Sequence, residues 1–257
     1  MILALDIGNT NIVIGSIENG NILFEARMAT DLVKTSDQYT AELKNILNLF
    51  SVEGGQFTGS IVSSVVPPVL NSFRTAIRKL TGNYPLVVGP GIKTGLNILT
   101  DNPNQTGGDL VVGAVAALQE YPLPLALVDM GTATTISILN EKGAFVGGCI
   151  CPGVRISQDA LTARTAQLPG INLEAPRHAI GRNTIDCMRS GIMYGAAAML
   201  DGLLDRMEQE LGQPLHVVAT GGISRFVIPL CRRAMTYDKD LLLKGLWVLY
   251  EKNQKTN

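Results

Sequence analysis

Apolar residues run from Ile2 to Leu5, are interrupted at Asp6, and resume at Ile12-Val13-Ile14 after the polar turn Gly8-Asn9-Thr10-Asn11. Asn19-Gly20 is a strong hairpin signal, and Ile22-Leu23-Phe24 opens a third run. The chain is therefore predicted to start as a β-meander, with an aspartate where the first strand meets its turn. Tyr39, Leu43, Ile46, Leu47 and Phe50 follow at helical spacing, with Ser36 or Asp37 as candidate cap. A strand over 61–66 ends at Pro67-Pro68, a helix is predicted over 69–81, and Leu86-Val87-Val88 reads as a short strand. The segment 101–108 (DNPNQTGG) is a loop by composition and feeds a helix of small residues from about Asp109 to Glu120.

After Pro122 and Pro124 the opening pattern returns. Leu125-Ala126-Leu127-Val128 reads as a strand, Asp129-Met130-Gly131-Thr132 as the acidic turn, Ile136-Ser137-Ile138-Leu139 as the next strand and Lys142-Gly143 as the hairpin turn. Each aspartate is followed two residues later by glycine, and Gly143 stands as far from Asp129 as Gly20 stands from Asp6. Such an internal repeat outweighs any single motif in choosing a fold. The remainder is mostly helical, over 155–167 and 184–211. A strand at His216-Val217-Val218-Ala219 ends in Thr220-Gly221-Gly222 and leads into a further helix, and an apolar segment from Leu241 to Tyr250 closes the chain. Strands alternating with helices in both halves predict an α/β protein of two domains, 1–121 and 122–257.

Composition narrows the class. The 257 residues are 46% hydrophobic with a formal net charge of −1, which fits a folded globular chain and gives no basic surface for nucleic acid. No run approaches the ~18 apolar residues of a membrane span, and the N-terminus lacks a signal-peptide pattern, so a cytoplasmic protein is expected. The four cysteines, Cys149, Cys151, Cys187 and Cys231, lack zinc-ribbon spacing, and neither His178 nor His216 is near them in sequence. They read as packing thiols in a reducing compartment.

The chemistry lies in the turns. A phosphate site needs inward-pointing backbone N–H groups, small residues that let the backbone approach, and hydroxyls or amides at the rim. Gly8, Asn9, Thr10 and Asn11 supply all three, as do Gly131, Thr132 and Thr134. Asp6 and Asp129 precede these turns and suit Mg²⁺, a hard cation usually held by one or two carboxylates and substrate phosphates. No Walker A sequence and no helix-opening G-x-G-x-x-G occurs. Gly221-Gly222, after a strand, can let adenine and ribose lie against the backbone. Asp109, after Gly107-Gly108 at a predicted helix start, is either a proton acceptor for a hydroxyl or a helix cap; the helix dipole there would keep it ionised.

These residues resemble a known family. Two Asp-x-Gly phosphate loops and a late Thr-Gly-Gly are the pattern of the acetate-and-sugar-kinase/Hsp70/actin superfamily. Within it the chain is similar to type III pantothenate kinases through ALDIGNTN (4–11), SSVVPP (63–68), DNPNQTGGD (101–109), VDMGTATT (128–135), GGCICPG (147–153), IGRNT (180–184), SGIMYG (190–195), ATGGIS (219–224) and LLLKGL (241–246). The resemblance implies two RNase H-like, actin-like ATPase domains with an interdomain cleft, ATP as donor and pantothenate as acceptor. It implies Asp109 as catalytic base, with Gly107, Gly108 and Thr184 on the substrate side and Asp6 and Asp129 on the phosphate and metal side. It also implies a monovalent cation, K⁺ or NH₄⁺, and a homodimer whose pantothenate pocket takes residues from the partner subunit. Two positions depart from the family pattern: Leu110 follows Asp109 where the family has Arg, and Thr100 stands where it often has Tyr. Arg155, Arg164 and Arg182 are alternatives for the missing guanidinium. A non-catalytic regulator of the same fold, or a kinase for another small hydroxy acid, are the competing readings.

Overall fold

The computed structural model describes residues 1–254. The chain forms two compact units. One comprises Met1–Leu96, Asp101–Gln119 and the segment from Asp240 onward; the other comprises Asn97–Thr100 and Glu120–Lys239.

The first unit opens with the expected meander: β1 (Ile2–Ile7), β2 (Asn11–Glu18) and β3 (Asn21–Ala29). Asn19 and Gly20 both have positive φ, 51° and 81°, the backbone of a type I′ hairpin turn. Next come α1 (Ser36–Leu49), β4 (Gly59–Ser64), α2 (Pro67–Thr81), the two-residue β5 (Leu86–Val87) and α3 (Gly108–Glu120). The sheet order is β3-β2-β1-β4-β5, antiparallel through the meander and parallel from β1 to β4 to β5. The cap of α1 is Thr35 rather than Ser36 or Asp37. Its side chain accepts from the Gln38 N–H while the Gln38 side chain accepts from the Thr35 N–H, so two orphan donors of the first turn are satisfied reciprocally. Pro67 and Pro68 do end the β4 ladder, but they do so by opening α2, where a missing N–H costs nothing.

Leu3, Leu5 and Ile7 of β1 and Ile12 and Ile14 of β2 share a buried cluster with Tyr39 and Leu43 of α1 and Phe73 and Ile77 of α2. The rings of Tyr39 and Phe73 lie 4.1 Å apart, tilted by 43°. Strand alternation sends Asp6 to the opposite face.

The second unit repeats the plan. It contains β6 (Leu125–Met130), β7 (Ala133–Leu139), β8 (Phe145–Pro152), α4 (Val154–Arg164), the 28-residue α5 (Thr184–Leu211), β9 (His216–Thr220), the short α6 (Ser224–Val227) and β10 (Thr236–Tyr237). Its sheet, β10-β9-β6-β7-β8, read from the β8 edge, has the same connectivity and strand directions as the first. Ala126, Val128, Met130, Ile136 and Ile138 pack against Ile192, Met193, Ala197, Leu200 and Leu204 of α5. A polar clamp holds the far end of α5: Arg233 donates to Asp205 at 2.6 Å and to both oxygens of Glu208 at 2.5 and 2.8 Å. Arg233 holds the Glu208 carboxyl below its usual range. Its stabilisation is thus present above the unfolded-state value and fades as pH falls through that range. Arg233→Ala is expected to cost about 1 kcal/mol at pH 7 and less at pH 3, measured by urea unfolding at both pH values.

The last helix, α7 (Leu241–Asn253), corrects the expected division of the chain. A single cut at 121/122 would leave it with residues 122–240, yet it packs in the first unit, with Leu243 against Gly15, Tyr250 against Gly59 and Gly245 against Val112 of α3. These contacts put α7 on the face of the first sheet opposite α1 and α2. Among the described residues no helix is long and apolar enough to cross a membrane.

Candidate active site

In the first unit three sequence segments converge at the end of β1. Asp6, 9% exposed, is paired in register with Ser63 of β4, so both side chains leave the same face of the sheet. Gly108, the first residue of α3, sits beside Ser63: a Cβ built there would lie 3.5 Å from the Ser63 Oγ. The Ser63 Oγ is buried without a hydrogen-bond partner, an exception that calls for an explanation. The turn between β1 and β2 is drawn tight, since the Gly8 N–H donates to the Asn11 carbonyl at 3.0 Å. It is also tied to the end of β3: Thr30 Oγ1 donates to the Gly8 carbonyl at 2.6 Å, and the Thr30 N–H to the Thr10 carbonyl at 3.0 Å. Asn9, Thr10 and Asn11 remain exposed at its rim.

Asp109 lies in the first turn of α3, and its Oδ1 accepts from the adjacent Leu110 N–H at 2.9 Å. That is not the N2 or N3 contact of a cap. Its ionisation also differs from expectation. Burial, opposed only by backbone hydrogen bonds, pushes its carboxyl above the usual aspartate range. Desolvation outweighs the helix-terminus field because the former acts on the whole carboxylate and the latter on half a charge.

The second unit builds its loop from different neighbours. Asp129 is paired in register with Thr220, and Gly131-Thr132 makes a two-residue turn where the first unit has three residues. Gly221 has φ +91°, and a Cβ there would fall 2.6 Å from the Met130 carbonyl and 2.8 Å from Asp129 Oδ1. The Asp129 carboxylate thus lies against the Thr220-Gly221 backbone, joining two predicted site segments; Gly222 follows directly. Gly153, which sequence reasoning missed, backs the loop from β8: a Cβ would lie 2.0 Å from the Thr132 carbonyl oxygen and 3.0 Å from that of Gly131. The Pro-Gly at the end of a glycine-rich strand was the available signal. Thr134 is 1% exposed and its Oγ1 has no partner, matching the orphan hydroxyl of Ser63. Thr184 stands apart from the sheet, exposed at the start of α5, where Asn183 caps the helix by accepting from the Asp186 N–H at 2.9 Å.

Two sheets of identical topology, each with an acidic strand end, a glycine turn and a buried unpartnered hydroxyl, define the duplicated fold of actin-like ATPases and sugar kinases. The chain belongs to the type III pantothenate kinase family, whose sequence pattern matches residues 2–206. A type III pantothenate kinase of Bacillus cytotoxicus is 44% identical over 253 residues, covering 98% of this chain and 97% of the relative. Among solved structures, a protein assigned to the Baf family of transcriptional activators from Campylobacter jejuni superposes with TM-score 0.62 at 18% identity, covering 98% of each chain. A protein described as a 2-dehydro-3-deoxygalactonokinase from Sinorhizobium meliloti does so with TM-score 0.60 at 12% identity, covering 100% of this chain and 99% of its own. At these identities the structural likeness speaks to fold alone.

Proposed function

We propose that this chain transfers the γ-phosphoryl group of ATP to pantothenate, giving 4′-phosphopantothenate for coenzyme A biosynthesis, with Asp109 as the proton acceptor. Family membership over nearly the whole chain supports the reaction. The residue assignment rests on one observation: a half-buried carboxylate of raised pKa in the first turn of α3, directly after Gly108, which lies beside Ser63.

The pantothenate primary hydroxyl hydrogen-bonds to Asp109 and passes its proton there as its oxygen attacks the γ-phosphorus in line. The bond from γ-phosphorus to the bridging oxygen breaks, and ADP leaves. A carboxylate whose pKa is lifted towards neutrality is a better base for this step than an ordinary one. The loops at Gly8–Asn11 and Gly131–Thr134 hold the phosphates, and Gly221-Gly222 accommodates the nucleoside. The orphan hydroxyls of Ser63 and Thr134 fit an oxygen-rich ligand at each loop. Asp6 and Asp129, with those hydroxyls, offer the hard oxygen donors that Mg²⁺ prefers, and Mg²⁺ when bound neutralises phosphate charge. K⁺ or NH₄⁺ is the expected monovalent cofactor and the cytoplasm the expected compartment.

A homodimer completes the proposal. Thr184 is exposed, flanked by Ile180 at 83% and Ile185 at 45% exposure, so this end of α5 has apolar surface to cover. In the dimer, Thr184 serves pantothenate bound to the partner subunit.

The test is a coupled assay with ATP, Mg²⁺, K⁺ and pantothenate. Pantothenate-dependent ADP release is expected. Nucleotide binding with no release would instead favour a non-catalytic regulator, and release with a different hydroxy acid alone would move the acceptor assignment.

A further inference from the structure

Cys149 and Cys151 occupy alternate positions on β8, so both thiols leave the same face of the strand. Their sulfurs are 4.0 Å apart and in hydrogen-bond contact. Both residues are partly exposed. β8 is the edge strand of its sheet, paired only with β7 along this stretch. Two glycines precede the pair, and Gly147 has φ +137°.

We propose that Cys149 and Cys151 form a redox modification site that closes to a disulfide by exchange with a low-molecular-weight disulfide, and that closure weakens the second phosphate loop. Two extended residues advance about 6.6–6.8 Å, at the upper end of the ~4.4–6.8 Å Cα separation that disulfides span. The Cβ atoms must also approach to the ~3.5–4.5 Å that a disulfide holds, so closure bends the free edge strand between the two cysteines. A bond formed at that limit is easily reduced, as a reversible cytoplasmic disulfide must be.

The order of events follows from the environment. Burial first, and then the neighbouring Cys151 sulfur, push the Cys149 thiol up to about 11. Cys149 therefore stays protonated, and the first attack falls to Cys151. Cys151 Sγ displaces one thiolate from the small disulfide and becomes a mixed disulfide. Cys149 then loses its proton to water and attacks Cys151 Sγ, expelling the second thiolate. The two cysteines lose two electrons and two protons, and the small disulfide is reduced to two thiols.

The consequence runs along β8. Cys151 is opposite Thr134, Pro152 is opposite Ala133, and Gly153 is pressed on the carbonyls of Gly131 and Thr132. Shortening the strand at 149–151 draws this support off the loop. This coupling rests on the loop's role in nucleotide binding; the disulfide itself does not.

The full chain is incubated with 2-hydroxyethyl disulfide, and the peptide containing residues 149 and 151 is analysed by mass spectrometry without reduction. The expected product is the peptide short of two hydrogens, restored by dithiothreitol, whereas C149S and C151S yield at most a stable mixed disulfide. ATP affinity, measured by calorimetry, is expected to fall about tenfold on oxidation of the parent and to be unchanged in oxidised C149S. A doubly adducted or unmodified parent peptide overturns the site. An internal disulfide with unaltered affinity overturns the coupling. Absence of ATP binding before oxidation would instead count against the nucleotide reading.

Discussion

Asp109→Asn is expected to lower turnover of pantothenate by about a hundred- to ten-thousandfold while leaving ATP binding nearly intact. The amide keeps the size of the side chain and can still accept from the Leu110 N–H, so the first turn of α3 is preserved. It cannot take a proton. The same change is expected to leave stability at neutral pH equal or higher. Because burial raises the Asp109 carboxyl, the folded state binds a proton more tightly than the unfolded chain does. In the window between the unfolded value and the raised folded value, stability therefore falls as pH rises, and the penalty is complete above the folded value. The parent and Asp109→Asn should differ most at pH 7 and converge at pH 4. Steady-state kinetics beside thermal unfolding at both pH values provides the check. Loss of turnover together with loss of stability at pH 7 would make Asp109 a structural residue.

Gly221→Ala should abolish measurable ATP binding and cost about 2–4 kcal/mol of stability. Two effects combine. The φ of +91° is strained for any residue with a Cβ, and the new methyl would meet the Met130 carbonyl at 2.6 Å and Asp129 Oδ1 at 2.8 Å. Relief requires β6 and β9 to part at the point where Asp129 and Thr220 are in register. Gly195→Ala is the control: it is a helical position with nothing within 4 Å, where alanine should be neutral or stabilising by up to about 1 kcal/mol. Calorimetry and urea unfolding of both variants decide the matter; a Gly221→Ala protein that binds ATP normally would remove this segment from the nucleotide site.

Much of the fold was legible because the signals are local. The Asn19-Gly20 turn needs positive φ at both positions, and those two residue types tolerate it. The span of α5 from Thr184 to Leu211 was bounded by an asparagine cap before it and Gly212 after it. The duplication was readable from the spacing of Asp6 and Asp129 to their turn glycines. The one-residue difference between the loops escaped notice, because the longer hairpin turn between Leu139 and Phe145 restores the spacing from Asp129 to Gly143.

What the sequence determined alone was the kind of chain this is: two α/β halves, each with an acidic strand end feeding a glycine turn, and the family those motifs belong to. Periodicity and turn chemistry depend on neighbours a few residues away, so they survive reading in one dimension. The tertiary structure decided the rest. It placed α7 with the first sheet, brought Ser63 beside Asp6 and α3, set Gly153 against the second loop, and buried Asp109 enough to raise its carboxyl above the usual aspartate range. Desolvation, close backbone approach and an unpartnered hydroxyl arise from atoms distant in sequence, and no local pattern encodes them.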